Sequence, residues 1–314
     1  MPSSRQMHVD AILTNMSVQY KNADFIWNQL MPVVKVNKRS DLYFVYNQEN
    51  AFHIANSDIS ETGMANEIDW GLSNDNYSVV DHALADWVSQ AAIDNADVPL
   101  QPRVDTNDFL NGALDLEQEK RVADIVFNAS SYASNNKIDL NDGSNTNFGE
   151  ASDDPIGVIM NGLEVCLQRP NLIVMGPEVW QQYRKLPEVL DAVKSSTRFQ
   201  GSPGGLATVN EVAGLFEVDN ILVPRARYNT AKPGQSASLS RVWGKHIALV
   251  YVAPNPGIKS LTFGVTFQEM TKTTYTDFDG KRGIKGAEYI KVAYNSDEKV
   301  IANDVGYFIA HAVN

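Results

Sequence analysis

Apolar residues in the first part of the chain keep no period. Val9, Ile12, Leu13, Met16, Val18, Tyr20, Phe25, Ile26, Trp27 and Leu30 fall at irregular spacing, and Met31 to Val36 add a short apolar run. A segment this apolar without a clean period cannot fold alone, so residues 1–39 are expected to be an arm lying against something else, such as a neighbouring subunit. From Asp41 the pattern alternates, with Leu42, Phe44 and Tyr46 opposed to Tyr43, Val45 and Asn47, which predicts a strand. A polar stretch from Asn56 to Gly63 follows, and strand character returns at Tyr77 to Leu84. Two strands separated by roughly thirty residues predict a long hairpin with an extended tip.

Helical spacing then takes over. Phe109, Leu110, Ala113, Leu114, Leu116, Val122, Ile125, Val126 and Ala129 predict a helix over 106–134, capped by Thr106 or Asn107 with Asp108 in its first turn. At 1.5 Å per residue such a helix is a rod of about 43 Å. Pro155 opens a second helix running to Gln168. Leu172 to Met175 reads as a buried strand stopped by Gly176 and Pro177, and the helical segment EVWQQYRKLPEVLDAVK comes next. A loop of Phe199, Gln200, Gly201, Ser202, Pro203, Gly204 and Gly205 precedes a second strand, Ile221 to Val223. Further strands are expected at 247–252, 261–267, 289–294 and 300–312, with polar turns at 277–283 and 295–297 and with EYIKVAYNSDEKVIANDVGYFIAHAV as a hairpin. The class is α+β.

Composition narrows the function. The chain has 314 residues, 43% of them apolar, enough for one large or two modest domains. Its 26 basic against 38 acidic residues give a formal charge of -12, which argues against tight sequence-specific DNA binding. The single Cys166, among Leu163, Val165 and Leu167, is expected to be a small buried hydrophobe and leaves no CxxC redox or metal site. The first twenty residues lack a basic and then continuously apolar secretory pattern, and no apolar run approaches membrane-spanning length, so synthesis and use in a cytoplasm without membrane contact are expected.

Catalytic signatures are equally sparse. His8, His53, His82, His246 and His311 are scattered singly, and phosphate-loop, dinucleotide and nucleophile-elbow strings are absent. The segment 139–150 has Asp139, Asn141 and Glu150 in calcium-loop positions but Ser144 where the sharp turn needs glycine, so it reads as a surface loop. No cofactor, no metal and no enzymatic activity are expected.

The order of strand, MGPEVW helix, glycine loop and strand from Asn171 to Pro224 resembles the A domain of tailed-phage major capsid proteins of the Hong Kong 97 type. The string ILTNMSVQYKNADFIWNQLMPVVKVNKRSDLYFVY is similar to the N-terminal region of phage capsid proteins. The resemblance implies a Hong Kong 97-like fold with an N-terminal arm (1–39), an E-loop (40–85) and a P domain (86–170) with spine helix 106–134. An A domain (171–257) would follow, and 258–314 would return strands to the P-domain and A-domain sheets. It implies self-assembly through hexamers and pentamers into the icosahedral head of a double-stranded DNA phage, made in the host cytoplasm and resident in the virion. Other implied partners are a separate scaffolding protein, a portal, a decoration protein and packaged DNA in non-specific contact with the wall.

Candidate intersubunit contacts on this reading are Phe25, Ile26 and Trp27 in the arm, Trp70 in the E-loop, Phe199 to Gly205 at an A-domain edge, and the basic turn Lys281 and Arg282. For these the opposing reading is packing within the chain, a disordered loop or a solvated turn. Residues 42–78 contain no lysine, which argues against a covalently crosslinked shell. An encapsulin-like compartment shell shares the expected fold and is the alternative; a soluble α+β enzyme or ligand-binding protein would instead be a monomer or small oligomer.

Overall fold

The computed structural model describes residues 25–46, 54, 56–59, 63–67, 72–96, 100–141, 147–148, 154–196, 206–232, 234–255, 257 and 260–313. The first elements in chain order are α1 (Trp27–Leu30), β1 (Val33–Lys35), β2 (Ser40–Tyr46), β3 (Leu72–Ser78), β4 (Val80–Ser89), α2 (Gln90–Asp94) and α3 (Pro102–Val126). Then come β5 (Lys137–Asp139), α4 (Pro155–Val165), β6 (Leu172–Met175), α5 (Pro177–Tyr183), α6 (Pro187–Ser196), α7 (Val209–Phe216) and β7 (Asn220–Leu222). The last are β8 (Arg227–Asn229), β9 (Leu239–Arg241), β10 (Ile247–Val250), β11 (Gly264–Gln268), β12 (Thr273–Asp279), β13 (Ala287–Val300) and β14 (Gly306–Ala310).

Two five-stranded sheets organise the chain. In the first, β13 is the spine: its first part pairs antiparallel with β12 on one side and β4 on the other, and its end pairs with β11, which carries β1 in parallel. Leu110 and Leu114 of α3 cover one face, against Val88, Ile290, Val292 and Tyr294. The second sheet runs β5, β14, β10, β6, β7. All four residues of β10 are buried, as a continuous Ile-Ala-Leu-Val run requires when both sheet faces are covered. Ile247 and Leu249 join the core of α4 to α7, while Ala248 and Val250 meet Val122, Ala123 and Val126 from the end of α3. Helix α3 therefore covers the first sheet with one half and the second with the other.

Several expectations are corrected. The long helix starts at Pro102, where proline is pre-organised, and not at a Thr106 or Asn107 cap. It ends at Val126, because the Asn128 side chain accepts from the Ser130 N–H and begins a short 3-10 turn, so its length is about 37 Å. Helix α4 stops before Cys166, which is extended. The single helical segment expected after Gly176 is two helices, broken at Pro187. The partner of β2 is β3, which starts at Leu72, ahead of the expected Tyr77–Leu84, and Val80 to Leu84 belong to β4 of the first sheet. Thr273–Asp279 is a strand, with the turn after it. Asn295–Asp297 lies inside β13, where Asn295 Oδ1 accepts from the Glu269 and Met270 N–H groups and makes a polar residue at home in a buried strand. Strands β13 and β14 belong to different sheets and are not a hairpin.

Candidate intersubunit elements and their roots

The ribbon β2–β3 pairs Ser40 with Ser78 through Tyr46 with Leu72 and, among the described residues, has no third strand. Two strands alone are marginal in water, so its position depends on its root. There Tyr43, Tyr77 and Val79 bury against Val265 and Phe267 of β11. Phe267 stacks on Tyr77 at 4.5 Å between ring centroids and tilts against Tyr43 at 5.5 Å. The Tyr43 hydroxyl donates to Asp75 at 2.8 Å, and burial followed by that carboxylate pushes its pKa up. The Ser78 N–H donates to Asp297 at 2.8 Å, and Arg39 pairs with Asp81. Leu42, next to Tyr43 in β2, is exposed, as are Ile54, Ile59 and Met64 between the two strands, Ile54 at 95%.

The N-terminal segment is rooted next to it. Ile26, Leu30 and Met31 are buried, and Phe25 and Trp27 pack half-buried on the same core. Thr266 holds the exit: its hydroxyl donates to the Met31 carbonyl at 2.9 Å and its N–H to the Pro32 carbonyl at 3.0 Å. At the entry, Glu119 of α3 accepts from the N–H groups of Ile26 and Trp27 at 3.0 and 2.9 Å on one oxygen, and from the Trp243 indole at 2.7 Å on the other. Burial raises the Glu119 pKa while those three donors oppose the rise. Val34 and Val36 then pack on the Tyr43–Phe267 cluster, so the arm root and the hairpin root share β11. Residues 25–35 are thus fastened to the chain's own body, with Ile26, Leu30 and Met31 in its core, which corrects an arm running to 39; Ile26 serves intrachain packing.

The basic turn closes the β12–β13 hairpin. Asp279 accepts from the Lys281 N–H at 2.9 Å, and Gly283 and Gly286 adopt φ of 65° and 87°, which glycine tolerates. The Arg282 guanidinium lies 3.7 Å from the centroid of the Trp87 ring, itself 4.8 Å from Tyr289. Arg282 is therefore engaged within the chain, Lys281 is exposed, and Ile284 at the apex is fully exposed. Trp70 and Phe199, Gln200, Gly201, Ser202, Pro203, Gly204 and Gly205 lie outside the described residues, as do Asp142 to Thr146 and Glu150 of the loop 139–150. Asp139 there pairs with His311 at 2.9 Å.

Cys166 is buried and its thiol donates to the Gly162 carbonyl at 3.2 Å. Among the described residues no His, Cys, Asp and Glu group could hold a metal ion, and no helix is long and apolar enough to cross a membrane. Glu119, Trp243 and Phe267 are not among the candidate contact residues expected from the sequence. Glu119 carried a signal, since it stands three and seven residues before Val122 and Val126 and so falls on the apolar face of the helix.

No protein-family model matches the chain. A major capsid protein of Pseudomonas phage JBD67 is 28% identical over 314 residues, 99% of each chain. A major capsid protein of Burkholderia phage BcepMu is 31% identical over 250 residues, 78% of this chain and 76% of that one. Among solved structures, a phage-related protein from Bordetella bronchiseptica RB50 superposes with a TM-score of 0.68 at 21% identity, covering 96% of both chains. The capsid of cyanophage P-SCSP1u gives 0.60 at 9% identity, covering 95% and 94%. The holo-SrpI encapsulin complex of Synechococcus elongatus PCC 7942 gives 0.54 at 11%, covering 96% and 94%.

Proposed function

This chain belongs to the family of phage major capsid proteins, and from that premise we propose how its parts build a shell. It is a structural protein of the phage capsid with the α+β Hong Kong 97-like fold, and it associates with copies of itself. The β2–β3 ribbon acts as the E-loop, and residues 1–24 act as the arm. Helix α3 with the first sheet forms the P domain, and the second sheet with α4 to α7 forms the A domain, so that β5 and α4, within the 86–170 expected for the P domain, go with the A domain because they pack on the second sheet. The observation that carries this reading is a two-stranded ribbon with an exposed Leu42, with exposed Ile54, Ile59 and Met64 between its strands, and with an aromatic cluster at its root. Such a ribbon leaves apolar surface and strand edges unsatisfied until a neighbour covers them.

Subunits join in hexamers and pentamers around loops of the A domain, including Phe199 to Gly205, while arms, E-loops carrying Trp70, and the Lys281 turn join neighbours. Phe25 and Trp27, half-buried, offer their outer faces to such contacts. Assembly takes place in the host cytoplasm with a separate scaffolding protein and a portal, and a decoration protein reinforces the finished head. The acidic wall contacts packaged DNA without gripping it. An encapsulin compartment shares the fold, but the phage relatives by sequence favour the viral shell.

The test is particle size by light scattering and negative-stain microscopy of the full chain and of a chain lacking residues 1–24. The cut falls at 24 because removing 25–39 would also remove core residues. Closed shells or rings that are lost or altered on truncation support the reading. A monomer or dimer indifferent to truncation, even with crowding agents and scaffold, counts against it.

A further inference from the structure

Glu119 is fully buried in the second half of α3 and among the described residues has no basic partner, an unusual place for a carboxylate. Its oxygens accept from three N–H groups, two from the main chain at the start of α1 and one from Trp243, itself fully buried. Ile26, Leu30 and Met31 would gain the same burial in many orientations, because apolar packing has little directionality. Three charge-assisted hydrogen bonds do not have that freedom. They fix one rotation and one register of α1, and Thr266 fixes the other end of the segment. A hydrophobic residue at 119 would fill the space without setting the direction.

We propose that Glu119 is a positioning residue for assembly: its carboxylate sets the point and direction from which residues 1–24 leave the subunit, and so which neighbour they reach. The proposal rests on the shell reading above. It differs from an ordinary stabilising role in separating two quantities, the stability of the fold and the yield of correct shells. A glutamine at 119 has one acceptor oxygen where two are used, so either the indole or the two main-chain N–H groups must face an amide donor.

The experiment compares the full chain with Glu119→Gln and with Leu114→Ala, a core change on the same helix that touches the first sheet and not the arm root. Each is measured for unfolding by urea, for tryptic cleavage after Lys35 and for shell yield and size. The expected result is a folded Glu119→Gln with cleavage raised about tenfold or more and shells reduced about tenfold or irregular, while Leu114→Ala, though destabilised, gives wild-type shells. Wild-type shells from Glu119→Gln, or equal loss of shells from both variants, overturn the proposal. Should Glu119→Gln not fold, Glu119→Asp replaces it, keeping the charge but shortening the reach by one methylene; normal shells and normal cleavage from that variant overturn the proposal equally. Absence of shells from the unaltered chain would sink the shell reading, and the cleavage comparison would still decide whether Glu119 holds the segment.

Discussion

Replacing Phe267 by alanine should loosen the β2–β3 ribbon far more than the rest of the molecule. The ring is 5% exposed and lies between Tyr77 and Tyr43. Its burial contributes about 1.5–3 kcal/mol and each ring pair about 0.5–1.5 kcal/mol more, in line with the roughly 3–5 kcal/mol usual for a core Phe→Ala change. The cluster it anchors is separate from the two cores around the second sheet. The loss therefore falls first on β2, β3 and β1. At about 1.4 kcal/mol per tenfold, hydrogen exchange of the Tyr77 and Asp75 amides should accelerate by two to three powers of ten. Amides of β10, between β6 and β14, should change by less than about tenfold. Equal acceleration in both places, or none in β3, would refute the claim that this aromatic cluster roots the ribbon.

Gly176→Ala should cost about 3 kcal/mol or more of unfolding free energy in urea, because its Cβ would stand 1.8 Å from the Gly244 carbonyl oxygen, a backbone atom that cannot rotate away; a cost under about 0.5 kcal/mol would contradict that contact. Burial and then His311 hold His246 below its ordinary pKa of 6.5, although Asp139 opposes them. The unfolded chain thus takes up a proton that the folded one resists, and this share of stability is present above about pH 6.5 and lost as the pH falls through it. The gap between urea midpoints at pH 7.5 and 5.5 should narrow in His246→Asn, which keeps an acceptor for the His311 N–H, with the remainder left to His82, whose pKa burial also lowers; an unchanged gap would show that His246 does not carry its share. Burial, then Asp304, pushes the Cys166 thiol up to about 12, so a thiol reagent at pH 8 should label it only after unfolding. Rapid labelling of the native chain would contradict its placement.

What could be read from sequence was what hydrophobicity writes. Strand β2 alternates, β6 and β10 are continuous apolar runs because both sheet faces are covered, and α3 repeats at helical spacing. The phage-capsid resemblance drawn from the Asn171–Pro224 block agrees with the relatives and the fold. Strands β3 and β12 escaped because they are short of apolar residues and largely exposed, leaving no periodic signal. The polar Asn295–Asp297 imitates a turn, and only its distant partners at Glu269, Met270 and Ser78 explain a strand. Helix α7 was legible and missed: Thr208 and Glu211 form a reciprocal capping box three residues apart. The arm root was unreadable for another reason. Which apolar residues of an aperiodic segment stay with their own chain is settled by donors such as Ile26 N–H finding Glu119, 93 positions away.

The central claim is that this subunit builds a shell by laying its ribbon on a neighbour. A single-particle reconstruction of purified assemblies, with the subunit fitted into the density, tests it most directly. The account predicts closed icosahedral shells in which Leu42 and the apolar residues beyond it are covered by an adjacent copy, with residues 1–24 running onto a neighbour from the Glu119 anchor. Particles in which the ribbon touches only its own chain, or a protein that remains monomeric with scaffold present, would contradict it.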